Sequence, residues 1–187
     1  DKRGFHAEYF NNPEFGGDPS IVRVDTTIAF DWSQRSPGEG VPADDFSARW
    51  TGMLKVAETG DYEVSVLTDN HMRVYIDQQA VLDSKTEIEL KGTDLLRSQE
   101  VAQGRVKRAV LNLSSGRNYM LKIEYIENAD KSTAVFGFQP YRTEEELLQE
   151  ALAASGDEDA VVVFAGISNQ YETEGHDLKS ISLPEIQ

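Results

Sequence analysis

The chain has no cysteine, so neither a disulfide nor a thiolate metal site enters its fold or its chemistry. That absence leaves the compartment open, and a soluble chain in a periplasmic or secreted setting fits. Basic residues are scarce: 18 Lys and Arg stand against 33 Asp and Glu, a formal net charge of −15. A chain this acidic lacks the basic face needed to neutralise phosphates, which argues against nucleic-acid binding. No apolar run approaches the roughly 18 residues of a membrane span, so no membrane partner is expected. Proline is sparse too, with 6 in 187 residues, and no repeat of 20–50 residues is found.

What is present is strand-like. GFHAEYF, TIAFDW, DFSARWTGMLKV, DYEVSVLT, HMRVYID, QAVLD, VKRAVLNL, NYMLKIEYIE and TAVFGFQ are β-rich, and several alternate with period two. Turn residues such as Gly60-Asp61, Ser115-Gly116 and 128–131 separate many of them. Tyr62, Val64 and Val66 alternating with Glu63, Ser65 and Leu67 point one face toward a core. About nine short strands predict an antiparallel β-sandwich or barrel. Trp32 and Trp50 read as core residues, Trp50 the more so because it lies within an alternating strand. Three stretches break the pattern. Residues 11–20 (NNPEFGGDPS) and 33–44 (SQRSPGEGVPAD) have the composition of irregular loops, and the weakly periodic 84–105 reads as a long excursion.

After Tyr141 the period becomes helical. TEEELLQEALAASG carries Thr143 as N-cap, Glu146 at the capping-box position and Gly156 at the end. DAVVVFAG over 159–166 then reads as a strand buried on both faces, followed by a carboxylate-rich loop with Glu172, Glu174 and Asp177. Open α/β sheets place their chemistry outside the carboxyl ends of such strands. Residues 141–187 hold 2 basic and 11 acidic residues, so the composition shifts where the period shifts. One strand and one loop cannot form an α/β sheet. Together with a start that carries neither an initiator Met nor an apolar leader, this gives the expectation of a piece of a larger protein.

The order of motifs GFHAEYFNNPEFGGDPSIVRVDTTIAFDW, SPGEGVPADDFSARWTGMLKVAETGDYEVSVLTDNHMRVYID and SGRNYMLKIEYIEN resembles the PA-fourteen domain, named from the anthrax protective antigen. The resemblance covers 4–140. The tail DAVVVFAGISNQYETEGHDLKSISLP resembles the C-terminal α/β sandwich domain of glycoside hydrolase family 3, into which such a module is inserted in many β-glucosidases. The implied fold is mainly β: an antiparallel sandwich over 4–140, then, over 141–187, a helix, a strand and a catalytic loop of an incomplete α/β sandwich domain.

The implied activity is retaining hydrolysis of β-linked glucosides or oligosaccharides, without a cofactor. Such enzymes use two carboxyl groups about 5–5.5 Å apart, a nucleophile and an acid/base. In the family the nucleophile is an Asp of a separate barrel domain, so the rest of the parent enzyme would be a partner of this chain. The acid/base matches Glu174, before Gly175, with Glu172 as runner-up. Asp177 is a support residue at most, because Leu178 stands where the family often has Arg. His176 pairs locally or faces solvent in this reading.

Yeast adhesins of this fold hold calcium with two adjacent aspartates, and the matching place here is Asp69-Asn70. An amide in place of one carboxylate weakens a site for a hard cation. Asp44-Asp45 is another pair, which more readily caps a turn. Three readings therefore stand: an accessory module of a β-glucosidase, a stand-alone calcium-dependent lectin, or a structural insertion that makes homo-oligomer contacts.

Overall fold

The computed structural model describes residues 4–86, 88, 96–101, 106–128, 131–156 and 160–162, with the backbone alone for 96–101. They fall into two units, 1–141 and 142–187. The first is built from two antiparallel sheets. One takes β1 (Phe5–Phe10), β2 (Ile21–Asp25), β4 (Ser47–Leu54), β6 (His71–Ile76), β7 (Gln79–Asp83) and β10 (Tyr119–Ile126) in the order β2-β1-β4-β10-β6-β7. The other takes β3 (Ala29–Ser33), β5 (Gly60–Thr68), β8 (Leu96–Val101), β9 (Val106–Leu113) and β11 (Ser132–Pro140) in the order β3-β11-β5-β9-β8. The expected sandwich is present.

All nine strands predicted for the sandwich are there, and two more among the described residues. Strand β8 lies inside the stretch expected to be an irregular excursion, paired with β9. Strand β2 escapes a reading of periodicity because its pattern is inverted: Val22 and Val24 are exposed while Asp25 is buried. An edge strand whose polar residues turn inward gives no amphipathic signal.

Alternation places the core. Tyr62, Val64 and Val66 of β5 are buried, as are Met72, Val74 and Ile76 of β6, and Tyr119, Leu121, Ile123 and Tyr125 of β10. Aromatic rings fill the centre. Tyr9 meets Trp50 edge to face at 5.8 Å, Trp32 meets Phe46 at 5.4 Å, and Phe30 stacks on Trp32 at 4.9 Å. Each such pair adds about 0.5–1.5 kcal/mol beyond the area it buries.

Within this core sits a carboxylate. Asp25 Oδ2 accepts from the Tyr9 hydroxyl (2.6 Å) and from Trp50 Nε1 (2.9 Å), while Oδ1 accepts from Arg23 Nε (2.7 Å). Arg23 also donates to the Tyr9 oxygen at 2.8 Å, and its guanidinium lies 4.5 Å from the Tyr9 ring centroid. Burial, reinforced by Asp25, pushes the Tyr9 hydroxyl well above its ordinary range, so it stays a donor. The inverted pattern of β2 is thereby explained: Arg23 and Asp25 face inward because β1 and β4 present their donors there.

The outer face of the six-stranded sheet carries a row of alternating charge. Register aligns Glu8 with Arg49, Arg49 with Glu124, Glu124 with Arg73, and Arg73 with Asp83. Opposite charges directly across strands support one register, and a one-residue slip would turn this row into the core. The row ends in a knot at Asp83. Oδ2 accepts from Arg73 Nε (2.9 Å), and Oδ1 accepts from the amides of Lys85 (2.8 Å) and Thr86 (3.1 Å). His71 Nε2 lies 3.0 Å from Oδ1. A carboxylate only accepts, so this nitrogen carries the proton. Burial works against the Asp83 charge, but the Lys85 amide, His71 and Arg73 outweigh it and lower its pKa to about 2.

In the second unit, α1 (Glu144–Ser155) starts as expected. Thr143 Oγ1 accepts from the Glu146 amide, and Glu146 Oε2 accepts from the Thr143 amide at 2.8 Å. Gly156 ends the helix in right-handed conformation, so its freedom to adopt positive φ goes unused. Leu147, Leu148 and Leu152 are exposed. Of the strand expected over 159–166, only 160–162 is described; it has no regular structure, and Val161 and Val162 are exposed. A strand buried on both faces needs sheet neighbours and covering helices, and among the described residues this unit holds only α1.

Two outcomes follow from these polar groups. Asp25→Ala leaves Tyr9, Trp50 and Arg23 without their acceptor, and it should cost about 3 kcal/mol or more, read as a fall in Tm of the order of 10 °C by circular dichroism. Asp25→Asn should fall between. For Asp83 the folded pKa is depressed, so its contribution is present above the ordinary carboxylate value and is lost as pH falls from about 4 toward about 2. Urea titrations of the chain and of Asp83→Asn should therefore differ most at pH 5–7 and converge near pH 2. A constant difference across that window would contradict the assignment.

Candidate functional site

At one end of the sandwich the turn between β5 and β6 meets the connection from β10 to β11. Asn70 joins them and is buried. Its Nδ2 donates to the Tyr125 hydroxyl (3.1 Å) and to the Lys131 carbonyl (2.6 Å), and its Oδ1 accepts from the Asn128 amide (3.2 Å). The turn itself closes through the Asn70 amide, which donates to Thr68 Oγ1. Nearby, the fully buried Glu127 accepts from the Asp45 amide at 2.6 Å, and Asp45 holds a left-handed φ of 58°. That contact connects the loop before β4 to the end of β10. Burial, opposed by the hydrogen bond from Asn70 and aided by the Glu127 carboxylate, pushes the Tyr125 hydroxyl above its ordinary range.

This geometry decides what Asp69-Asn70 can offer a cation. The Asn70 oxygen already accepts a backbone amide and its nitrogen is committed twice, so the side chain is a tie between two turns. Among the described residues no group of three or more His, Asp or Glu side chains is placed to hold a metal. The residues present at Asp69-Asn70 therefore do not fit a calcium site of the two-carboxylate kind. At Asp44-Asp45 the engaged group is the Asp45 backbone amide, which donates to Glu127. Trp32 and Trp50 are 8% and 0% exposed, which places both in the core and leaves neither as a platform for a sugar ring.

A second polar region lies where β7 ends. Ser84 Oγ accepts from the Met72 amide (2.9 Å) and donates to the Asn70 carbonyl (3.1 Å), so the Asn70 turn and the Asp83 knot adjoin. Lys107 of β9 reaches across from the other sheet and donates to the carbonyls of Asp83 (3.1 Å) and Thr86 (3.4 Å). The chain leaving β7 is thus held at 83–86 from three sides. Nothing in the hydrophobic pattern signals this, because Asp83, Ser84 and Lys85 read as ordinary turn residues. The local cue was an acid followed at two and three residues by amides it can cap.

Glu174, Glu172, Asp177 and His176 all lie outside the described residues.

Compared with known proteins, residues 1–151 match the model of the PA14 domain. The probable beta-glucosidase I of Aspergillus clavatus is 26% identical over 198 aligned positions, covering 98% of this chain and 23% of that protein. The anti-sigma-I factor RsgI3 of Acetivibrio thermocellus is 27% identical over 131, covering 70% of this chain and 18% of that protein. The chain thus spans less than a quarter of these curated relatives. Among solved structures, the beta-glucosidase of Kluyveromyces marxianus in complex with glucose has a TM-score of 0.64 at 22% identity, over 97% of this chain and 21% of that one. The A domain of Epithelial Adhesin 9 from Candida glabrata, in complex with Galb1-4GlcNAc, has a TM-score of 0.52 at 12% identity, over 76% and 84%. A family model that spans the whole sandwich and reaches into α1 leaves one assignment: this chain belongs to the PA14 domain family.

Proposed function

We propose that this chain is the carbohydrate-recognition module of a retaining β-glucosidase of glycoside hydrolase family 3, continued by the start of the α/β sandwich domain into which it is inserted. The observation that carries this reading is the reach of the similarity. The PA14 model ends at residue 151, whereas the A. clavatus alignment covers 98% of the chain and the K. marxianus structure 97%. The likeness to β-glucosidases therefore takes in the acidic tail as well as the sandwich. In this reading the loops of the sandwich shape the rim of the sugar pocket. Glu174 protonates the leaving oxygen and then activates water, with Glu172 as the alternative and Asp177 in support.

The test uses the full-length protein. Proton donation matters most when the leaving group is poor. Glu174→Ala should therefore slow disaccharide cleavage by about 10²-fold or more, with a much smaller effect on the first step with an activated aryl glucoside, and added azide should restore turnover of the latter. The same pattern from Glu172→Ala would move the acid/base role by two residues. Equal losses on both substrates from either variant would sink the assignment.

A second reading is a calcium-dependent lectin, and the adhesin neighbour solved with Galb1-4GlcNAc supports its sugar-binding part. The commitment of the Asn70 amide to Tyr125, Lys131 and Asn128 counts against it. Asn70→Asp removes two donated hydrogen bonds and should lower Tm by several degrees, corresponding to about 2 kcal/mol, without making stability respond to calcium. A rise in wild-type Tm with millimolar calcium would favour the lectin instead.

A further inference from the structure

The connection between β7 and β9 is pinned where it begins and where it ends. At its start, Asp83 caps the amides of Lys85 and Thr86 while Arg73 and His71 hold its carboxylate from β6. Where the connection has become β9, Lys107 donates back to the carbonyls of Asp83 and Thr86. Residues 83–86 and residue 107 therefore meet across about twenty residues of chain, one group in each sheet. Bringing the ends of a connection this long together has an entropic cost that must be offset by contacts at its base. Five donors on one aspartate and its neighbours supply them.

We propose that Asp83 is a positioning residue: with His71, Arg73 and Lys107 it clamps the base of this connection, so that residues 83–86 at the end of β7 are presented to a bound saccharide in one place. The inference rests on the reading in which the sandwich loops frame a sugar pocket. It differs from that reading in assigning the placement to a named side chain that touches no substrate. Asp83 is 6% exposed, and its carboxylate oxygens are already engaged. It acts through backbone amides alone. Lys107 contributes through its ammonium donors, which an arginine can replace and a methionine cannot.

The test is made in the full-length protein with Asp83→Asn, Lys107→Met, Lys107→Arg and a shortening within 87–95. Hydrogen exchange at Lys85 and Thr86 should speed up about tenfold or more in Asp83→Asn, with β5 and β10 unchanged. The ratio of kcat/KM for a disaccharide to that for an aryl glucoside should shift about fivefold in Asp83→Asn and Lys107→Met, and Lys107→Arg should restore it. General destabilisation lowers both substrates alike and leaves the ratio unmoved. Unchanged exchange at 85–86 overturns the clamp. Faster exchange with an unmoved ratio, while the shortened variant does shift it, overturns the positioning role and leaves the pocket-rim reading standing. No shift from either the clamp variants or the shortening overturns both.

Discussion

A carboxylate placed in an aromatic core is stable only while its donors stay around it, and in this sandwich those donors come from three different strands. Asp25 ends β2, takes hydrogen bonds from Tyr9 of β1 and Trp50 of β4, and pairs with Arg23 two residues away on its own strand. The cost of burying the charge is offset by directed bonds, and the directions fix how β2, β1 and β4 lie side by side. The rings that Asp25 orients, Tyr9 and Trp50, are also the ones against which Trp32 and Phe30 of the opposite sheet pack. One buried acid thus couples the register of a sheet to the contact between sheets.

The same device recurs at the end of the sandwich with neutral and charged partners. Asn70 donates and accepts, and Glu127 accepts, across turns that are far apart in sequence, and Asp83 accepts at the exit from β7. Loops joined in this way lose much of the freedom that their Gly, Pro and Asn content suggests. The outward row from Glu8 to Asp83 adds a register signal on the face that water would otherwise leave unspecified. Long connections can then vary in length and sequence while the frame beneath them keeps its geometry.

The link from fold to activity is of another kind. The proteins this chain is similar to include a β-glucosidase, an anti-sigma factor and, in fold, an adhesin, so the sandwich alone does not select a chemistry. The proposal of glycoside hydrolysis rests on the likeness to β-glucosidases that continues beyond the sandwich. Glu174, proposed above as the acid/base, falls in that continuation of the sequence.

Much of the frame was legible from residues alone. Alternation in β5, β6 and β10 and the Thr143–Glu146 box are local signals, produced by the pleat and by the unpaired amides of a helix start, so no tertiary knowledge is needed to read them. Strand β2 was not legible, because Arg23 and Asp25 point inward for the sake of Tyr9 and Trp50, residues 14 and 25 positions away. Strand β8 was not legible either: a polar edge strand is defined by the neighbour it pairs with, not by its own pattern. The engagement of the Asn70 side chain was not legible for a related reason, since an amide in a turn looks available until Tyr125, Lys131 and Asn128 are brought to it. The sequence by itself determined the strands that bury one face and the helix that caps itself. Only the tertiary structure decided where each polar side chain spends its hydrogen bonds, because a hydrogen bond across two turns depends on distance in space and leaves no period along the chain.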